Sequence, residues 1–237
     1  MCVFLNPMKN TYSNTCTVLD DANSCFDELT KEERSLIELN KISLTYKKGE
    51  IISKQGSFAS HIIYLKKGLA KVYLEGKSKN LILTITPPGN LMGLPCLYDG
   101  NNVFLYSASA YIDSEVDLID IELFKKLILQ NSKFAFSIIK TLNANTVQTY
   151  GRFYCFTNKQ MHGRLADILL CLAQRIYGQD SFLLPLTRAD LAELTGMSTE
   201  SVVRVMKDFK DDGLIKTEGK NIELINIDML MKISDVG

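Results

Sequence analysis

The polar and charged residues between positions 187 and 213 have a spacing that suits the reading of double-stranded DNA. Thr187 and Asp190 form a capping-box pattern, which predicts the start of a short helix. Gly196 supplies a tight turn after that helix, and Ser198 is suited to cap a second one. Two short helices joined in this way have the layout of a helix-turn-helix motif, whose second helix enters the major groove of DNA.

The second predicted helix has an apolar side and a polar side. Its apolar residues recur at i, i+3, i+4 and i+7 and therefore face a core; they are Val202, Val205, Met206 and Phe209. The residues that point away are the predicted base-reading set, namely Thr199, Glu200, Val203 and Arg204. Glu200 and Arg204 are also spaced for a surface ion pair, which would hold the guanidinium ready for a guanine edge.

A predicted β-hairpin follows the second helix and distinguishes this region from glycine-linked helix pairs of purely structural bundles. Residues 214–225 contain two apolar-rich runs around Glu218-Gly219-Lys220-Asn221, a hairpin turn sequence. A recognition helix followed by such a hairpin is a winged helix. The residues expected to contact DNA phosphates are Thr187, Ser198, Ser201, Lys216 and Lys220.

The overall charge of the chain argues against non-specific binding of nucleic acid. The 237 residues carry 27 Lys and Arg against 27 Asp and Glu, and residues 181–220 contain six basic and seven acidic residues. Sequence-specific DNA binding must therefore depend on the arrangement of side chains. No run of eighteen apolar residues predicts a membrane span, and six cysteines without a pairing rhythm are typical of a reducing compartment, so we predict a cytoplasmic protein.

The hydrophobic periodicity divides the chain into four segments. Residues 1–25 predict an irregular lead-in, 26–121 a β-rich domain, 122–157 one long helix, and 158–237 the winged helix-turn-helix domain. Many short β-like runs between Gly and Pro residues are typical of a sandwich or barrel, and they occupy residues 42–46, 49–53, 61–65, 70–74, 81–86, 104–110 and 115–121. The predicted fold class is α+β.

The long predicted helix indicates a homodimer. It contains neither Pro nor Gly between residue 122 and Gly151, and a seam of residues along it alternates by threes and fours, as in helices that pair with a copy of themselves. The small domains at its ends cannot cover an apolar seam of this length. The predicted dimer interface consists of Phe134, Ile138, Leu142, Asn145, Thr149 and Phe153.

The order of a glycine-punctuated β-domain, a long helix and a winged helix resembles the family of the cyclic-AMP receptor protein and the fumarate-and-nitrate-reduction regulator (Crp/Fnr). The most specific part is residues 186–219, which follow the family pattern without a gap and include Ser198-x-Glu200-x-x-x-Arg204. Further matching segments are 46–52, 55–56, 63–68 and 88–93. The resemblance implies a cyclic-nucleotide-binding-like β-roll (a double-stranded β-helix) on a homodimeric transcription regulator, which binds an inverted repeat and acts with RNA polymerase.

The chain departs from that family where a cyclic nucleotide would be held. The nucleotide-binding members have a Glu for the ribose and, about ten residues on, an Arg for the phosphate, whereas this chain has Leu94 and Tyr106-Ser107-Ala108. A leucine cannot accept a ribose hydrogen bond, and a tyrosine cannot neutralise a phosphate. We therefore predict an effector other than cyclic AMP, of open identity, in a candidate pocket formed by Leu91, Gly93, Leu94, Tyr106 and Ser107.

Two alternatives from other functional classes are open to the sequence. A β-roll interaction module whose helix-turn-helix no longer binds DNA is compatible with the acidic character of residues 208–218. A cupin-like metalloenzyme would need several converging ligands, but His61 and His162 are the only histidines. No catalytic triad or phosphate-binding loop is recognisable, so we predict no enzymatic activity, no metal and no cofactor.

Overall fold

The computed structural model describes residues 25–77, 80–98 and 100–236, so the predicted lead-in at 1–25 lies almost entirely outside the described residues. A 3₁₀ turn at Cys25–Glu28 precedes helix α1 (Lys31–Asn40). Thr30 caps α1 through a reciprocal capping box with Glu33, which satisfies two backbone N–H groups at the helix start. The buried side chain of Ile37 holds α1 against the β-domain.

Antiparallel strands then build a β-roll. They are β1 (Ile42–Tyr46), β2 (Ile51–Ser53), β3 (His61–Lys67), β4 (Ala70–Leu74), β5 (Leu81–Thr86), β6 (Leu91–Met92), β7 (Ser107–Ala110) and β8 (Ser114–Asp120). One four-stranded sheet has the order β1-β8-β3-β6 and the other the order β2-β7-β4-β5. Both sheets contribute to one apolar core, which includes Ile62, Leu65 and Val72. The structure confirms the predicted β-roll.

Strands β1, β4 and β5 have the predicted bounds. Strand β2 begins at Ile51 rather than at residue 49, β3 ends at Lys67 rather than at residue 65, and β8 is shifted by one residue. Two differences are larger. Strand β7 begins at Ser107 rather than at residue 104, and the two-residue strand β6 has no counterpart in the sequence prediction, because it is too short to show alternation. Glycines fix the sharp corners between strands. A Cβ atom at Gly68, where φ is +99°, would lie 2.2 Å from the Ser114 hydroxyl, so only glycine fits there.

The predicted single helix over residues 122–157 is wrong, because the chain breaks into α2 (Ile121–Gln130) and α3 (Ser132–Asn158). Asn131 lies between them with extended φ and ψ angles. Its side-chain oxygen accepts hydrogen bonds from the backbone N–H groups of Lys133 and Phe134, which caps α3. An asparagine can therefore begin a new helix in a segment that has neither Gly nor Pro.

The C-terminal domain surrounds its own apolar core. It contains α4 (Met161–Cys171) with a π-helical continuation at Leu172–Tyr177, β9 (Ser181–Leu183), α5 (Arg188–Thr195), α6 (Thr199–Asp211), β10 (Ile215–Glu218), β11 (Asn221–Leu224) and α7 (Ile227–Val236). Its strands form a sheet of order β10-β11-β9. Strand β9 is shorter than the predicted run 182–186, and α7 has no counterpart in the sequence prediction.

Lys71 and Arg152 join the β-roll to the C-terminal domain. Lys71 of β4 forms salt bridges with Glu193, at 3.1 Å, and with Asp190, at 3.8 Å, both on α5. Arg152 of α3 is buried and donates hydrogen bonds to the carbonyl oxygens of Ile82 in β5 and Leu194 in α5. The apolar core of the C-terminal domain also continues onto the β-roll, so the two domains pack as neighbours rather than as separate bodies on a linker.

Candidate DNA-binding surface and effector cavity

The helix-turn-helix is formed by α5, a glycine turn and α6. The Thr187 hydroxyl accepts from the backbone N–H of Asp190, whose carboxylate in turn accepts from the N–H of Thr187, so the predicted capping box is confirmed. Gly196 ends α5 with φ +65° and ψ 26°, a left-handed conformation that favours glycine. Ser198 caps α6 by accepting from the N–H of Ser201.

Helix α6 presents the predicted faces. Its apolar residues are all buried and hold the helix on the core; they are Val202, Val205, Met206 and Phe209. The four predicted base-reading residues, Thr199, Glu200, Val203 and Arg204, are all exposed on the opposite side. Val203 is 51% exposed, which is unusual for valine in a helix and leaves its methyl groups available for contact with a base.

Glu200 and Arg204 are both described by the structure, and they do not form the ion pair that their spacing predicts. The pKa of Glu200 is instead lowered by hydrogen bonds from its own backbone N–H and from the Ser198 hydroxyl. The carboxylate therefore turns towards the start of α6, where the helix dipole favours negative charge. Arg204 is left pointing into solvent, and no hydrogen bond or salt bridge with another described residue occupies its guanidinium.

The wing is the hairpin of β10 and β11, in which Ile215 pairs with Leu224 and Glu218 with Asn221. Gly219 makes the turn with φ +61°, and the adjacent Lys220 is exposed. The ammonium group of Lys216 lies 2.9 Å from the Glu218 carboxylate, which raises the pKa of the lysine. Of the two predicted wing lysines, Lys220 is therefore the more available to a phosphate.

Contacts with α3 and α4, on the side opposite the exposed face of α6, fix the position of the helix-turn-helix. The sequence predicts none of these contacts. Arg164 of α4 donates to the carbonyl oxygen of Thr195, and His162 of the same helix lies 3.1 Å from the carboxylate of Asp208 in α6. The ring of Phe156 in α3 packs against the turn at Gly196. The end of α3 and the start of α4 thus hold both helices of the motif.

Replacing Gly196 with alanine should destabilise the C-terminal domain by about 2 kcal/mol or more. A left-handed φ alone costs a residue with a Cβ atom about 1–2 kcal/mol, and here the new Cβ would also lie 2.7 Å from Cε1 of Phe156. Gly213→Ala is the matched control, because Gly213 has φ +68° but its new Cβ would have no described atom within 4 Å. Urea unfolding of both variants measures the difference, and equal losses would show that the Phe156 contact is unimportant.

A cavity of about 240 Å³ lies between the β-roll and α3. Three of the five residues of the candidate pocket line it, namely Leu91, Leu94 and Tyr106. The other two predicted pocket residues are not on its wall. Gly93 donates its backbone N–H to the Tyr106 hydroxyl, at 2.8 Å, and Ser107 is hydrogen-bonded to Glu75 and to the backbone of Gln55.

The predicted dimer seam is divided among three environments. Phe134 and Ile138 are buried in the core of their own β-roll, so the structure corrects their assignment to a dimer interface. Leu142, Asn145 and Thr149 line the cavity. Phe153 is 69% exposed. It belongs to an apolar stripe on the outer side of α3, whose other members are Phe136, Ile139, Val147, Tyr150 and Tyr154. Leu142 lies at the border and belongs both to this stripe and to the cavity wall.

Two family models match the two parts of the chain. A model described as a cyclic nucleotide-binding domain matches residues 43–131, and one described as a Crp-like helix-turn-helix domain matches residues 163–233. They cover the β-roll and the winged helix-turn-helix in the order in which the structure has them.

Among the described residues, none of the helices combines the length and the hydrophobicity that a membrane span requires.

Curated relatives and solved structures agree with these matches. The chain is 24% identical over 204 residues to the transcriptional activator protein anr of Pseudomonas aeruginosa, covering 84% of this chain and 83% of that one. It is 26% identical over 171 residues to the cAMP-activated global transcriptional regulator CRP of Pasteurella multocida, covering 70% and 82%. The structure of FixK2 from Bradyrhizobium japonicum superimposes with a TM-score of 0.76 at 21% identity, over 83% of this chain and 98% of that one.

Proposed function

Because this chain belongs to the Crp/Fnr family of DNA-binding transcription regulators, we propose that it acts as a homodimer that binds an inverted repeat and responds to an effector other than cyclic AMP. Helix α6 enters the major groove in each half of the site, and the hairpin of β10 and β11 follows the backbone. Two copies related by a two-fold axis select half-sites about one helical turn apart, roughly 34 Å.

The observation that carries this proposal is the exposed side of α6. Four side chains capable of base contacts are exposed on a helix whose other side is buried, and His162 of α4 contacts Asp208 of that helix. Thr187, Ser198, Ser201 and Lys220 are suited to phosphate contacts around it. RNA polymerase is the partner through which a bound dimer would act on transcription.

Selection from a pool of random duplexes tests the proposal. The purified full chain should enrich an inverted repeat, because a symmetric dimer reads the same bases twice. Enrichment of a single half-site would contradict the dimer. If no sequence is enriched at moderate salt, the alternative of a protein-interaction module is favoured, for which the exposed acidic residues Asp211, Asp212 and Glu218 provide a surface.

Cyclic AMP should not bind in the cavity. Leu94 stands where a ribose partner is expected, and the Tyr106 hydroxyl already accepts the N–H of Gly93, so a phosphate in the cavity would meet no cation and would find the Gly93 amide occupied. Calorimetry should show no saturable heat up to about 1 mM nucleotide, with the cAMP-activated regulator of Pasteurella multocida titrated as the positive control. Binding in the micromolar range would show that the cavity holds an anion after all.

A further inference from the structure

The cavity between the β-roll and α3 is uncharged. Its β-roll wall is mainly apolar and includes Val72, Met92 and Leu94, while its α3 wall carries the amide and hydroxyl groups of Asn145, Gln148 and Thr149. No Asp, Glu, Lys, Arg or His side chain of the described residues lines it. A charged molecule would lose its hydration there without gaining an opposite charge, which is costly for an ion.

One buried polar group on the cavity wall has no partner among the described residues. It is the hydroxyl oxygen of Thr86, at the end of β5, which is fully buried and forms no hydrogen bond within that part of the chain. A buried hydroxyl without a partner typically costs about 1–3 kcal/mol, and such groups are rare in folded proteins. Thr86 is one of the residues that line the cavity, so a molecule that fills the cavity is in a position to supply the partner that this hydroxyl lacks.

Tyr106 removes the group that could otherwise hold an anion. Its hydroxyl accepts the backbone N–H of Gly93 at 2.8 Å. Burial raises the pKa of Tyr106 to about 12, so the phenol remains neutral near pH 7. The backbone N–H of Gly93 is consequently occupied, and the side-chain contacts left to a bound molecule are those of neutral hydroxyl and amide groups.

We propose that this cavity binds a small, uncharged, mainly apolar molecule that has one hydrogen-bonding group, and that this group pairs with the Thr86 hydroxyl. The inference rests on the proposed function, in which the cavity is the effector site. A volume of about 240 Å³ is below the range of drug-sized pockets and suits a molecule of one or two rings. Such a molecule would touch Leu142, which belongs also to the exposed stripe of α3, so its binding reaches the surface proposed for dimerisation.

Three probes of one shape test the charge and the hydrogen bond separately: naphthalene, 2-naphthol and naphthalene-2-sulfonate. Titrations of the full chain, followed by nuclear magnetic resonance of its methyl groups, should give binding of naphthalene, about tenfold tighter binding of 2-naphthol, and no binding of the sulfonate. Thr86→Val keeps the shape and removes the hydroxyl, so 2-naphthol should then bind no better than naphthalene. Thr86→Ser is the matched control and should retain the preference for 2-naphthol.

The outcomes that overturn the inference are distinct. Binding of the sulfonate as tight as that of 2-naphthol would contradict an uncharged ligand, and an unchanged preference in Thr86→Val would contradict the role of Thr86. Absence of binding by all three probes would contradict the ligand site itself. A melting temperature of Thr86→Val equal to or above that of the wild type excludes misfolding, as expected where an unpaired hydroxyl is removed.

DNA selection with the same proteins separates this inference from the proposed function. If the chain enriches an inverted repeat but binds no probe, the proposed ligand is contradicted and the proposed function as a transcription regulator is retained. Probe binding without DNA enrichment would support the cavity and contradict the regulator.

Discussion

The double variant Ile139→Asp/Phe153→Asp should sediment as a monomer, and the wild-type chain as the proposed dimer, at the same concentration. Ile139 is 51% and Phe153 69% exposed, and both lie on the outer side of α3, opposite the side that packs on its own domains. A stripe of large apolar side chains along such a helix marks an interaction surface. A carboxylate in the middle of an apolar interface loses hydration without a partner, so the dissociation constant should rise on the order of a thousandfold.

Leu129→Asp is the matched control for the dimer. Leu129 is 86% exposed on α2, outside the stripe, so its replacement introduces the same charge on an exposed leucine without touching the interface. That variant should remain dimeric. Sedimentation velocity measures the oligomeric state of the double variant and of the control. A double variant that still dimerises would show that the interface lies elsewhere. The monomer should also lose tight binding to an inverted repeat, because each chain then holds only one half-site.

Helix α3 shows how far reasoning from sequence can go. The periodicity of α3 correctly indicates a helix with more apolar surface than one neighbour can cover. It does not say which apolar side meets the helix's own domain, because Phe134, which is buried, and Phe136, which is exposed, are equally apolar in the sequence. Only the contact with the β-roll, formed by residues distant in the chain, distinguishes the two sides.

The β-roll and the winged helix were predictable because their signals are local. Strands of alternating character between Gly and Pro turns gave β1, β4 and β5 with the observed bounds. The capping residues Thr187 and Ser198 begin the two helices of the DNA-binding motif as expected. Each of these signals lies within a few residues of the structure that it specifies.

The contacts that position the motif were not predictable, because they join residues far apart in the chain. Arg152 resembles an ordinary surface residue in the sequence, yet it is 7% exposed and bridges β5 to α5. Its desolvation lowers the pKa of the guanidinium to about 10. The hydrogen bond between Tyr106 and Gly93 joins residues thirteen positions apart and likewise depends on the closed β-roll.

Replacing Arg204 with alanine should weaken binding to the selected inverted repeat and relax the preference at one guanine in each half-site. An arginine presents a planar fork that fits the O6 and N7 acceptors of guanine, and each such pair contributes about 1–3 kcal/mol to discrimination. The guanidinium of Arg204 is exposed on α6 and has no hydrogen bond or salt bridge to another described residue, so it can meet a base without first breaking a contact. Val203 and Glu200 lie beside it, suited to a thymine methyl and a cytosine amine.

Lys220→Ala is the control for this loss, because Lys220 lies at the tip of the wing and is suited only to a phosphate. It should weaken binding to all sequences about equally and lower the slope of affinity against salt by about one charge for each chain, which is about two for the dimer. Arg204→Ala should instead change which sequences are selected. Since a phosphate contact carries no base information, the two variants must differ in the consensus as well as in affinity. If Arg204→Ala retains the full wild-type consensus, another residue reads the guanine, and Arg204 does not belong to the base-reading residues.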